Sequence, residues 1–196
     1  MVEVEGVENL YTAMKEGKGV VAVCAHIGNF PMMQARLSLM GLPVHTIIRD
    51  SNNPYFARFW VQTRKKMGIP FISKWDLKGT VQKSQEFLKE GKVVCFYLDQ
   101  HANNGVKVKM FGKDVFVPRG AAVFARKNMC PVIGLFTYRK KFNKHHIIIE
   151  GPYHLKCSEN QAHDIQEYTT FFIGRVEHYV KMYPEQWFSW LHKRFR

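Results

Sequence analysis

Short apolar runs alternate with longer segments of helical period along the whole chain. Residues 7–16 read as a short helix ended by Gly17 and Gly19. Residues 19–25 then form a continuous apolar run, as expected of a strand buried on both faces of a parallel sheet. Pro31 stands at the expected first position of a helix over 31–40, where its missing N–H costs nothing, and Gly41 follows as the stop. Residues 44–48 predict a strand, 54–67 an amphipathic helix closed by Gly68, 69–73 a short strand, and 76–90 a helix ended by Gly91. Residues 93–98 make a second central strand that runs into Asp99-Gln100. Strand-like pieces at 106–110 and 114–117, a helix over 119–128, strands at 131–138 and 145–150, and a long helix over 159–182 complete the pattern.

This alternation predicts an α/β fold, a mostly parallel central sheet flanked by helices, in one domain spanning residues 1–196. No internal repeat, low-complexity tract or linker interrupts it. His26 and Asp99 are the polar residues that directly follow the two most apolar strands. They therefore fall at strand C-terminal ends, where open α/β sheets form ligand crevices.

Composition changes the picture in one respect. Lys and Arg number 29 against 16 Asp and Glu, a formal net charge of +13. Such an excess favours an anionic partner, whether nucleic acid, an acidic protein or an anionic membrane, or else a solubilising surface. Charge alone ranks these level, although no nucleic-acid reading motif is present. Cys24, Cys95, Cys130 and Cys157 form no C-x-x-C pair, and the first two lie in apolar strands. That pattern fits a reducing compartment and argues against a disulfide framework or a metal site. There is no signal peptide, and the apolar runs are too short to span a bilayer.

Among the residues able to do chemistry, His26 precedes Gly28-Asn29 and a helix start. Outward-facing N–H groups at such a terminus suit a developing oxyanion, and imidazole accepts a proton at neutral pH. Position alone leaves a capping histidine and a catalytic one level. Gly28 tips the reading towards a site, because it lets a substrate approach the backbone. Asp99, leading Asp99-Gln100-His101, orients His26 if their strands are neighbours and otherwise caps a turn. Arg64 begins the basic run Arg64-Lys65-Lys66, and such runs are usually solvated helix faces. Arg49-Asp50 reads as a surface pair, and Arg119 either meets an anionic group or is exposed. The remaining histidines show no metal-ligand spacing. No G-x-S-x-G elbow, P-loop or G-x-G-x-x-G occurs, which removes serine-nucleophile, NTPase and dinucleotide readings. The aromatic, basic C-terminus from Tyr183 suits a membrane interface or base stacking, with packing on the core an equal reading for Trp187.

Several blocks in order resemble those of the bacterial lipid A biosynthesis acyltransferases, the lauroyl and myristoyl transferase group. Gly6-Val7-Glu8-Asn9-Leu10 with Gly17-Lys18-Gly19-Val20-Val21 is similar to the run before their catalytic motif. His26-Ile27-Gly28-Asn29-Phe30 resembles H-x-G-N-W. Asn53-Pro54, Arg64-Lys65-Lys66-Met67-Gly68, Asp99-Gln100, Met110-Phe111-Gly112, Pro184-Glu185-Gln186-Trp187 and Leu191-His192-Lys193-Arg194-Phe195 resemble later blocks.

The resemblance implies a glycerol-3-phosphate/lysophospholipid acyltransferase-like fold. It also implies transfer of an acyl chain from acyl carrier protein to a hydroxyl of a lipid A precursor or related glycolipid. His26 is the implied base, with Arg64 and Asp99 also important; the candidates for contacting substrate are Gly28, Asn29, Arg64, Arg49 and Arg119. No cofactor, no metal and no nucleic acid are expected. The implied location is the cytoplasmic face of the bacterial inner membrane, and acidic carrier, phosphorylated acceptor and anionic lipid all suit the +13 charge.

Two departures stand out. The family motif is H-x-x-x-x-D/E, and its acid position is Pro31 here, so the expected carboxylate is Asp99. Family members also carry a hydrophobic N-terminal anchor and a longer stretch before the histidine, whereas twenty-five residues precede His26. A piece of a longer chain, or a short form docking peripherally, is implied. Acylation of a lysophospholipid and a non-catalytic lipid- or carrier-binding role are the alternatives.

Overall fold

A computed structural model describes residues 1–74 and 76–188. The strands are β1 (Val2–Glu5), β2 (Val20–Cys24), β3 (Val44–Ile48), β4 (Phe71–Ser73), β5 (Val93–Tyr97), β6 (Val106–Met110), β7 (Lys113–Val117), β8 (Val132–Lys141) and β9 (Lys144–Tyr153). The helices are α1 (Val7–Lys15), α2 (Phe30–Leu39), α3 (Pro54–Lys66), α4 (Leu77–Lys89), α5 (Gly120–Asn128) and α6 (Gln161–Met182).

Seven strands make one sheet in the order β1-β9-β8-β2-β5-β3-β4, and β6 with β7 forms a separate hairpin. Every pairing in the large sheet is parallel except the β8–β9 hairpin. The mostly parallel, helix-flanked sheet expected from the alternation is therefore the fold. Strand β1 was not among the expected elements, although its period-two alternation is the pattern of a half-buried strand. Four residues alternating Val and Glu form a strand here because β9 offers them an open edge.

The core explains why the central strands are apolar throughout. In β2 all five residues are buried. Val21 and Val23 face a cluster built with α5 and α6, including Ala121, Phe172 and Val176. Val20, Ala22 and Cys24 face the opposite cluster, with Leu10 and Ala13 of α1 and Met33 and Leu37 of α2. Alternate side chains of a strand point to opposite faces, so a strand covered on both sides needs apolar residues at every position. Helix α3 differs, because none of its residues is fully buried. Among the described residues no helix is long and apolar enough to cross a membrane.

Candidate active site

The register of β2 on β5 builds the site. Parallel pairing runs from Val20↔Val93 to Cys24↔Tyr97. Continued two residues beyond, the same register sets His26 opposite Asp99. The condition that the two strands be neighbours is met.

The Asp99 carboxylate is fully buried and, among the described residues, accepts from His26 and Trp187. The His26 ring contacts it, Nδ1 to Oδ1, at 2.7 Å, and the His26 backbone N–H donates to Oδ2 at 2.9 Å. Trp187 Nε1–H donates to the same Oδ2 at 3.0 Å. Burial pushes the carboxyl pKa up, but the His26 ring, the His26 N–H and the Trp187 indole outweigh it and hold Asp99 below the usual carboxylate range. An ionised Asp99 accepts only, so the proton of a neutral imidazole sits on Nδ1 and the lone pair on Nε2. That lone pair faces the Gln100 amide, whose Nε2 lies 3.1 Å away. Ring contacts fix the imidazole plane: Tyr97 lies 4.5 Å away centroid to centroid and Phe30 meets it edge-on at 5.0 Å. Tyr97 is itself held by the Gln34 amide, which donates to its hydroxyl at 2.9 Å.

The C-terminal segment completes the arrangement. Gly28 N–H donates to Gln186 O at 3.0 Å, Phe188 N–H donates to His26 O at 2.7 Å, and Ile27 bridges Trp187. This antiparallel clasp carries the indole beneath Asp99. Trp187 is consequently an internal residue, 6% exposed, and not one offered to a membrane or a base. Leu191-His192-Lys193-Arg194-Phe195 lies outside the described residues.

Several of the candidate residues have roles within the fold. Gly28 has a left-handed φ of 60°, and a Cβ there would come within 2.4 Å of the Thr137 carbonyl oxygen. Its lack of a side chain is explained by close packing on β8 and needs no substrate. Asn29 caps α2, its Oδ1 accepting from Met32 N–H at 3.1 Å. The N–H groups of His26, Gly28 and Met32 are thus spent inside the fold, which narrows the set expected to face an oxyanion. Helix α2 starts at Phe30, so Pro31 is its second residue.

Arg49 and Asp50 are not a surface pair. Asp50 is buried against Arg64, whose guanidinium also lies 4.6 Å over the Phe71 ring, while Arg49 is exposed. Arg64 therefore ties α3 to the end of β3 and to β4, and it is not a solvated member of a basic run. Arg119 is exposed immediately before α5. Gln100 and Trp187 are the partners that reasoning from sequence had not assigned. Gln100 was legible, being next to Asp99, whereas Trp187 reaches the site from 88 residues away.

Cys24 cannot serve as a nucleophile here, because burial pushes its thiol pKa well up. A hollow of about 450 Å³ lies elsewhere, between α5 and the start of α6, lined by Arg126, Met129 and Cys157 among others. It lacks a base–carboxylate pair, so the chemistry and not the hollow locates the site. Among the described residues no three His, Cys, Asp or Glu side chains gather as a metal site.

A family model for bacterial lipid A biosynthesis acyltransferases matches residues 1–196, the whole chain. The chain belongs to that family. A lipid A biosynthesis palmitoleoyltransferase of Escherichia coli (strain K12) is 28% identical across 99% of this chain. A lipid A biosynthesis acyltransferase of Shigella flexneri and a lipid A biosynthesis lauroyltransferase of Escherichia coli (strain K12) are also 28% identical across 99% of it. The chain spans 61% of the length of each of these relatives. Pro31 stands where the resemblance led to an acid being expected, and the carboxylate on His26 comes from the end of β5.

Proposed function

We propose that this chain is the catalytic domain of an O-acyltransferase. It moves a fatty acyl chain from acyl carrier protein to a hydroxyl of a lipid A precursor at the membrane surface. The observation that carries the reading is the buried His26–Asp99 contact of 2.7 Å, which leaves Nε2 as the basic atom. Family membership supplies the acyl and lipid chemistry, and the +13 charge suits an acidic carrier and a phosphorylated acceptor.

In this mechanism the acceptor hydroxyl displaces the Gln100 amide from Nε2. His26 takes the hydroxyl proton as the oxygen attacks the thioester carbonyl, while Asp99 stabilises the imidazolium. The tetrahedral intermediate collapses with loss of the carrier thiolate, which takes the proton back from Nε2. No acyl-enzyme forms and no cofactor takes part.

The test is to incubate the chain with acyl carrier protein loaded with a C12–C16 chain and a lipid A precursor, following acylated product by mass spectrometry. His26→Ala should lower turnover by about 10²–10⁴-fold, the range for removing a general base. Full activity in that variant sinks the mechanism. Carrier binding without turnover in the unaltered chain identifies a binding module instead.

A further inference from the structure

Among the described residues, α3 carries a cluster of exposed large apolar side chains. Tyr55, Phe56, Phe59 and Trp60 are 84%, 59%, 58% and 48% exposed, and Met67 beyond the helix end is 49% exposed. Their spacing is ordered. Ala57, Val61 and Arg64 recur at i, i+4 and i+7 and are the partly covered side facing the protein. Phe56, Phe59, Trp60 and Met67 recur at helical spacing on an adjacent stripe, and the Phe59 and Trp60 rings meet edge-on at 5.4 Å. Lys66 adjoins the stripe beside Phe59 and is exposed, and α3 contains no Asp or Glu.

A helix this apolar on its outer side is unusual for a surface in contact only with water. The location adds meaning. Helix α3 follows β3, whose parallel partner is β5, so it starts at the sheet edge that carries His26 and Asp99. Arg64 holds the helix to that edge through Asp50. At the far end the Ser38 hydroxyl donates to the Gly68 carbonyl, bringing exposed Leu39 of α2 close to the end of the stripe.

We infer that α3 is the face by which the protein lies on an anionic lipid bilayer. Phe56, Phe59 and Trp60 enter the headgroup boundary, and Lys66 beside them meets lipid phosphates. Aromatic side chains with a basic, acid-free flank suit this interface, where rings partition below the headgroups and cations meet the negative surface. The inference rests on the acyl-transfer reading only for its purpose, which is to bring a membrane-held hydroxyl to the rim beside His26.

The test uses the full chain and flotation with vesicles of phosphatidylethanolamine plus phosphatidylglycerol, against vesicles of phosphatidylcholine. The unaltered chain should bind the anionic vesicles, and more weakly at high salt. The triple variant F56S/F59S/W60S should bind them at least about tenfold more weakly, and K66E should weaken the preference for anionic lipid. Both variants should remain folded, with melting temperatures lowered by no more than a few degrees, because these side chains lie outside the buried core. Undiminished vesicle binding by the triple variant overturns the inference. A stable dimer of the unaltered chain that the triple variant dissociates also overturns it, showing that another copy covers the stripe. Acyl transfer to a detergent-dispersed acceptor separates the two readings. If the unaltered chain shows none, yet the variants differ on vesicles as stated, the docking face stands and the acyl-transfer reading falls.

Discussion

Asp99 shows how a single buried side chain can set the chemistry of its neighbour. N–H donors of His26 and Trp187 converge on a carboxylate that water does not reach, and they keep it ionised. Asparagine has the same shape but one oxygen, and its NH₂ would face a donor. Asp99→Asn should therefore leave His26 in the wrong tautomer and lower kcat by about 10³–10⁴-fold, a loss of the kind known for a histidine deprived of its orienting acid. Trp187→Phe removes one donor while keeping an aromatic ring in the buried position. One hydrogen bond to a charged group is worth about 1.5–3 kcal/mol. If half of that is lost in the transition state, kcat falls about fivefold with KM unchanged. Steady-state kinetics of the two variants checks this ordering, and a larger effect at Trp187 than at Asp99 would contradict it.

At the scale of elements, the join between α5 and α6 depends on another carboxylate. Asp164, in the first turn of α6, accepts from Arg126 Nε at 2.6 Å, from the Ser158 hydroxyl at 2.6 Å and from Ser158 N–H at 2.9 Å. The Ser158 hydroxyl first, and then Arg126, pull its pKa down to about 2. A carboxyl depressed on folding adds stability above its unfolded pKa of about 3.9, and that stability is lost as pH falls through the folded value. Unfolding followed by circular dichroism should show the chain weakening between about pH 4 and pH 2. Asp164→Asn should be less stable at pH 7 and should show a smaller acid-dependent loss, the remainder coming from Asp99 and other depressed carboxylates. A parallel pH profile in the two proteins would contradict the assignment.

For the molecule as a whole, 29 basic against 16 acidic residues impose a net repulsion on the compact state. The exposed ion pairs, such as Lys107 with Asp114, are worth little and are screened together with the repulsion. The buried contacts around Asp99 and Asp50 are screened far less. Salt should therefore stabilise the protein, raising Tm by about 2–4 °C for each 1 kcal/mol of repulsion removed. Calorimetry from low to moderate sodium chloride measures it, and a falling Tm would mean that attractive pairs dominate.

The elements themselves were largely written along the chain. Continuous apolar runs, helical spacing and terminal glycines are local properties, so β2, β5 and the helices were legible to within one or two residues at most ends. His26 and Asp99 were legible as ends of apolar strands. Tertiary structure decided what no local pattern encodes. Only the order of strands makes β2 and β5 neighbours, and only their register sets His26 against Asp99. Long-range pairing brings Trp187 under the carboxylate, gives the Val-Glu repeat of β1 an edge to join, and turns Asp50 from Arg49 to Arg64. Hydrophobic periodicity specifies which face of an element must be covered; which partner covers it depends on contacts between residues far apart in the chain.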